Sequence, residues 1–348
     1  MDRLLSDRRS FISAATCLLA GIGSRPAFAQ GRPEKAKLGI AVSSRASLES
    51  LPLAIADRLG YFASEGLVVE IHDLGGGARA LQSVLDGTDD VVAGAFEQTI
   101  HLQSRNQFFQ AFVLLGRAPQ VAVGVCTKTM SSYKAVADLK GRRIGVAMAG
   151  SAANTVARGV LARGGVMPKD VNFVELASVG VALSAVRSGQ LDAISCTEPL
   201  MTMLEHRGDV RIIADTRSLS GAQDLFGGPM PAACLYAPGD FVQKNPKTVQ
   251  ALANALVHAL KWLQTAGPSD LIKEVPEAYQ FGDRSLYLAS FNKVREAIAV
   301  DGIIPDEGAK TALRVMGRLE PSIKLDKIDL ARTFTNEFSR KAKDKFRA

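Results

Sequence analysis

Two stretches lying far apart in the chain follow one plan. Residues 83–98 read SVLDGTDDVVAGAFEQ and residues 184–199 read SAVRSGQLDAISCTEP. Each begins as a helix end and reaches a glycine, Gly87 or Gly189. Three residues on comes an aspartate, Asp90 or Asp192, which opens an apolar run that ends at Glu97 or Glu198. A repeated unit limits the fold sharply, because both copies must bury the same kind of strand in the same kind of sheet. The wider pattern agrees. KLGIAV (37–42), LVVEIHDL (67–74) and DVVAGAF (90–96) read as strands, separated by helical periodicity over 47–62, with Ser47 as its N-cap, and over 78–87. RRIGVAM (142–148), VNFVEL (171–176) and DAISC (192–196) repeat the series, with helices over 149–165 and 179–190 between them. Strands alternating with helices predict an α/β fold of mostly parallel sheets flanked by helices, in two lobes with a ligand cleft between them. A helical tail follows. Its clearest member, 245–263, takes Asn245 as N-cap and Pro246 in the first turn, and carries Val249, Leu252, Leu256, Leu260 and Leu263 on one face.

Ligands of such sheets bind beyond the carboxyl ends of the strands, so the loops there are the candidate sites. The first is Ser43-Ser44. The second is DLGGGARA (73–80), where three glycines join a strand to a helix, and the third is Gly150-Ser151 at the matching point of the second half. A helix start offers free N–H groups and partial positive charge, which suits an anion, and Gly76 and Gly77 let backbone approach a ligand closely. The Ser151 hydroxyl can cap its helix or donate to the ligand. Nucleotide binding is a poor fit. No Lys-Ser/Thr follows the glycines, and Gly75-Gly76-Gly77 leading into Ala78 is not the spacing of a dinucleotide fingerprint. Glu97 and Glu198 could act as general acid and base, could meet an amine or hydroxyl of a ligand, or could lie on the rim.

Catalytic and metal chemistry find little support in the residue pattern. His72, His101, His206 and His258 never fall at helical ligand spacing, and AGSAA (149–153) lacks the last glycine of a nucleophile elbow. We therefore expect no catalytic residue, metal or cofactor. After Cys17, the cysteines Cys126, Cys196 and Cys234 form no CxxC spacing and are an odd number. A net charge of +7 without any basic stripe interleaved with aromatics argues against nucleic acid, and the basic run RKAKDKFRA (340–348) reads as a solvated helix end.

Residues 1–29 read as an export signal. The stretch has a charged start, an apolar run from Phe11 to Ile22 and a small-residue cleavage pattern ending at Ala29. Arg8-Arg9 before Ser10-Phe11-Ile12 resembles a twin-arginine motif, with an ordinary secretion signal as the alternative. Periplasmic residence is the expectation, with cleavage near Ala29.

PLAIADRLGYFASEGLVVEI (52–71), the GGG at 75–77 and ADLKGRRIGVAMAGSAANT (137–155) resemble periplasmic solute-binding proteins of ABC importers, in the sulfonate/nitrate/taurine and thiamine-precursor-like group. VRSGQLDAISCTEP (186–199) and residues 226–262 extend the likeness. It implies a type II two-lobe fold, with residues 30–124 and 236–348 in one lobe and 125–235 in the other. It also implies hinge strands near 121–127 and 232–237. The matching pocket positions are Ser43, Ser44, Gly76, Gly77, Glu97, Gly150, Ser151 and Glu198. The implied partners are a small organic solute, anionic like an alkanesulfonate or carboxylate, and a membrane permease with its ATPase, the binding protein itself being a monomer. Two departures stand out: these positions carry no arginine clamp, and the histidine-poor loops do not match the branch that builds a thiamine pyrimidine. The rival readings are an exported enzyme or thiamine-precursor-synthase relative using Glu97 and Glu198, and a sensory module that hands its ligand to a membrane receptor.

Overall fold

A computed structural model describes residues 31–148 and 151–348. The export signal and Gly150 lie outside the described residues. Among the described residues, ten strands form two five-stranded sheets of one design. The first contains β1 (Lys37–Val42), β2 (Val68–Asp73), β3 (Val91–Ala95), β4 (Phe109–Leu114) and β10 (Ala233–Pro238). The second contains β5 (Val121–Cys126), β6 (Arg143–Val146), β7 (Asn172–Glu175), β8 (Ala193–Thr197) and β9 (Val210–Asp215). The orders are β2-β1-β3-β10-β4 and β7-β6-β8-β5-β9. β1 pairs parallel with β2 and β3, as β6 does with β7 and β8. In each sheet the fourth strand is the reversed one, β10 or β5, antiparallel to both of its neighbours.

The repeated glycine and aspartate explain why the two sheets start alike. Gly87 and Gly189 adopt left-handed φ values of 75° and 81°, which a glycine reaches without steric cost, and so turn the chain out of a helix. The aspartate then clips the next strand to its neighbour. Asp90 donates its N–H to Gly39 O at 3.0 Å and accepts from Gly39 N at 3.2 Å through Oδ2. Asp192 does the same to Arg143, at 2.9 Å in each direction. A side chain that satisfies an N–H of the adjacent strand sets the register of the parallel pair.

The chain crosses between the sheets twice, between β4 and β5 and again between β9 and β10. The hinge strands implied at 121–127 and 232–237 are in fact β5 and β10, each hydrogen-bonded on both sides within a sheet. A strand held on both edges cannot bend freely, so the crossing segments are 115–120 and 216–232. They pair briefly with the strand ends and with each other, as in Ala232 N to Gly116 O (2.9 Å) and Gln120 N to Thr216 O (3.1 Å).

Two helix predictions need correction. The helix read over 47–62 is divided into a 3-10 turn (Leu48–Ser50), a helix (Leu51–Arg58) and a short turn of helix (Tyr61–Ser64). Left-handed Gly60 (φ 69°) separates the last two, and the Ser47 hydroxyl makes no cap bond. Asn245 does stand before the Pro246–Thr265 helix, but its Nδ2 donates back to Phe241 O (3.0 Å), in the preceding helix. The predicted stripe of Pro246–Thr265 is wholly buried, with Val249, Leu252, Leu256, Leu260 and Leu263 at most 1 % exposed. Each such leucine contributes about 1.5–3 kcal/mol by leaving water. The Asp306–Leu319 helix packs against both Glu97–Ser104 and Ala152–Arg163, so the tail braces helices that follow strands of either sheet.

Candidate ligand-binding site

A cavity of about 520 Å³ opens at the carboxyl ends of the strands. One wall comes from the loops after β1 (Ser43 to Glu49) and β2 (Asp73 to Gly77). The other comes from the loops after β6 (Ala147, Met148 and Ser151 to Ala153), β7 (Leu176 to Ala182) and β8 (Thr197 to Leu200), and Phe281 reaches in from the C-terminal part. Of the residues singled out in the sequence, Ser43, Ser44, Gly76, Gly77, Ser151 and Glu198 line this space. Glu97 is not among its lining residues.

The three glycines serve three different purposes. Gly75 has φ 65°, a left-handed turn, and Asp73 Oδ1 accepts its N–H at 3.1 Å. Gly76 is extended (φ 170°), so its backbone would admit any residue, but a Cβ there would lie 2.6 Å from Met148 Cε on the opposite wall and push that side chain aside. A Cβ on Gly77 would meet nothing within 4 Å. Both Gly76 and Gly77 line the cavity, and the bare Gly76 also makes room for the facing wall.

Helix starts converge here as expected, but two carry their own caps. Ser151 Oγ accepts from Asn154 N (3.2 Å) and donates to Met148 O (2.7 Å). Ser178 Oγ accepts from Val181 N at 3.2 Å. The Gly77–Leu85 helix has no side-chain cap. Ser178, which stands just before an apolar-periodic segment, was readable as a cap but was not singled out.

The acidic groups differ more than their sequence setting suggests. Glu198 Oε1 sits 2.6 Å from Arg217 Nη1, and its two oxygens also accept from Thr202 N (3.0 Å) and Thr202 Oγ1 (2.8 Å). Arg217 in turn holds Asp215 and Glu205, and Glu205 pairs with Lys293. Burial works against the Arg217 charge, but the carboxylates of Asp215 and Glu198 outweigh it and raise the pKa. Glu97 is 3 % exposed, and burial pushes its carboxyl up to about 7 against hydrogen bonds from its own backbone N–H and from Thr155, with the charge of Glu49 adding to the rise. Glu49 faces the cavity. Burial raises its pKa too, opposed by the Ser43 hydroxyl, which donates to Oε1 at 3.1 Å.

Residues 47–267 match the model of the family described as NMT1/THI5 like. The chain belongs to the NMT1/THI5-like family. It is 48 % identical to a protein of Bordetella bronchiseptica RB50 of solved structure, over 91 % of this chain and all of that one, with a TM-score of 0.89. Two more distant structures share the fold. The alkanesulfonate-binding protein SsuA from Xanthomonas axonopodis pv. citri, bound to MOPS, is 17 % identical at a TM-score of 0.69, over 88 % of this chain and 99 % of that one. The periplasmic nitrate-binding protein NrtA from Synechocystis PCC 6803 is 14 % identical at the same score, over 90 % of each chain. The two-sheet architecture of this NMT1/THI5-like chain is thus the periplasmic binding protein fold.

The residues that decide the chemistry of the cavity in this NMT1/THI5-like protein include several that sequence reasoning passed over. Glu49 reads as an ordinary first-turn carboxylate of a helix starting at Ser47, and Met148 as a strand residue. Arg217 lies 19 positions from Glu198, with no spacing motif to join them. No Lys, Arg or His lines the cavity among the described residues.

Proposed function

We propose that this protein is the solute-binding component of an ABC-type importer, exported on its N-terminal signal and working in the periplasm. It captures a small organic solute and presents it to a membrane permease driven by an ATPase. The observation that carries this reading is the cavity, whose two walls come from loops of two different sheets linked by two chain crossings and the bracing tail. Such walls, as lobes of residues 30–124 with 236–348 and of 125–235, can close on a ligand that binds the closed form better than the open one. An enzymatic use of Glu97 and Glu198 fits less well. Glu198 is committed to Arg217 and Thr202, and Glu97 is not among the residues lining the cavity.

Native mass spectrometry of the protein purified from its own cells, followed by thermal shift with released or candidate solutes, tests the reading. A ligand at 100 times its Kd stabilises the fold by about 2.7 kcal/mol. We expect a bound small molecule by mass and a raised Tm on adding it back. A protein that carries nothing, and whose Tm is unmoved by amines, carboxylates, sulfonates and pyrimidines alike, is not a solute receptor.

A further inference from the structure

We infer that the captured solute is an organic cation, an ammonium or amidinium group on an apolar body, and that Glu49 with Ser43 receives its charged head. This rests on the solute-binding reading above and goes past it to the chemistry of the cargo.

Charge in the lining is one-sided. Its carboxylates are Glu49, Asp73 and Glu198, and none of the described lining residues is basic. The three carboxylates are not equivalent. Glu198 is neutralised by Arg217 and saturated by Thr202. Asp73 is occupied by the backbone N–H groups of Arg45 (2.9 Å) and Gly75 (3.1 Å). Glu49 has the Ser43 hydroxyl on Oε1 and stands in no ion pair among the described residues, so it keeps acceptor capacity for a charged donor. A second observation marks the same corner. Ser47 lines the cavity two residues before Glu49, and its buried Oγ has no hydrogen-bond partner. A buried hydroxyl left unpaired is costly, and a ligand donor or acceptor would relieve it.

Against this stands the positive end of each helix that starts at the cavity, the feature that suggested an anion. The helix starts at Ser151 and Ser178 are already capped by those serines. A helix end is worth about half an elementary charge, whereas Glu49 once ionised carries a whole one, a form that a cation beside it would favour against the burial that raises its pKa. An anion would have to approach that charge with no side-chain cation to offset it; an ammonium or amidinium would gain a charge-assisted bond. The remaining lining, with Met148, Leu176, Val179, Leu200 and Phe281, is apolar and fits a hydrocarbon or aromatic body.

The test uses probes matched in shape and opposite in charge, titrated into the signal-free protein at pH 8: benzamidine against benzoate, and hexylamine against hexanesulfonate. The cationic member of each pair should bind at least tenfold more tightly. Glu49→Gln should abolish that preference, and Ser43→Ala should reduce it; the ratio in the unsubstituted protein stands if Glu49→Gln fails to fold. Tighter binding of benzoate or hexanesulfonate, or an unchanged ratio in a folded Glu49→Gln protein, overturns the inference while leaving solute capture intact. So does a solute released from the native protein that carries no basic nitrogen. If neither cells nor probes supply any ligand, the solute-binding reading falls with it.

Discussion

Glu97 and Glu198 leave the ends of β3 and β8 at matching points of the repeat, and both are all but buried, at 3 % and 2 % exposure. Glu198 meets an arginine and a threonine, and both its oxygens are bonded. Glu97 meets Thr155 and the field of Glu49, and its pKa is driven to about 7 chiefly by burial. The two halves thus share strand order, turn glycine and aspartate clip, while their electrostatics diverge at the next residue that matters. Backbone geometry is set locally and can be repeated; the charge environment of a side chain is set by whatever the rest of the fold brings up to it.

The largest expected effect comes from removing what makes the two glutamates different. Arg217→Met leaves Glu198 and Asp215 without their shared cation and should destabilise by about 3–5 kcal/mol, the usual cost of stranding one side of a buried ion pair. Glu97→Gln removes a carboxyl that has no cation and should cost less than about 1 kcal/mol at pH 8, or stabilise. Urea unfolding of both variants reads the contrast directly as shifts in midpoint. Equal losses would mean that the two carboxylates are compensated alike, and the comparison would collapse.

The same contrast appears in pH. Glu97 has a folded pKa of about 7, above the 4.5 of an ordinary glutamate, so between those values the folded state holds a proton that the unfolded chain has released. Stability from this group is complete below about pH 4.5 and lost as pH rises through about 7, by about 3 kcal/mol in total. Carboxylates with depressed pKa values, such as Asp192 beside Arg143, run the other way and dominate at lower pH. The difference between the unfolding free energies of the native protein and Glu97→Gln, followed from pH 4.5 to 8, isolates the term. It should fall across that window, and a flat difference would show that Glu97 is ionised throughout.

How far the sequence reveals the molecule follows the same division between local and distant causes. β1, β2, β3, β6, β7 and β8 are legible because each is a short apolar run bounded by turn or cap residues, with helical periodicity close by. β4 and β9 close their sheets by pairing with β10 and β5, strands that arrive from the other half of the chain, and no local period announces that. In the site, loops at strand ends could be named because their position follows from the parallel sheet itself. Ser151 could be placed but its use could not, since the cap bond to Asn154 N competes with a ligand for the same hydroxyl. Glu49 escaped because a carboxylate next to a serine at a helix start looks like dipole compensation. Its cavity-facing position depends on the helix being divided, which only the tertiary structure shows. The anion suggested by helix starts follows from real local features, and it is weakened by a count of side-chain charges that only the assembled walls permit.

A smaller effect separates the helix starts themselves, glycine in the first half and serine in the second. Ser151→Ala deletes a side-chain cap and should cost about 1 kcal/mol of stability. Gly76→Ala loses no side-chain cap bond and meets no left-handed strain, and should cost somewhat less than that, about 0.5 kcal/mol. Its new methyl would instead press on Met148 Cε, which a bare glycine allows to come close. Because that contact spans the two walls, the expected penalty falls on closure, as a roughly tenfold loss of solute affinity (about 1.4 kcal/mol) at nearly constant Tm. Met148→Ala in the same chain should restore most of it. If Gly76→Ala instead lowers Tm with affinity unchanged, the glycine serves its own loop rather than the approach of the opposite wall, and the two helix starts are alike in purpose after all.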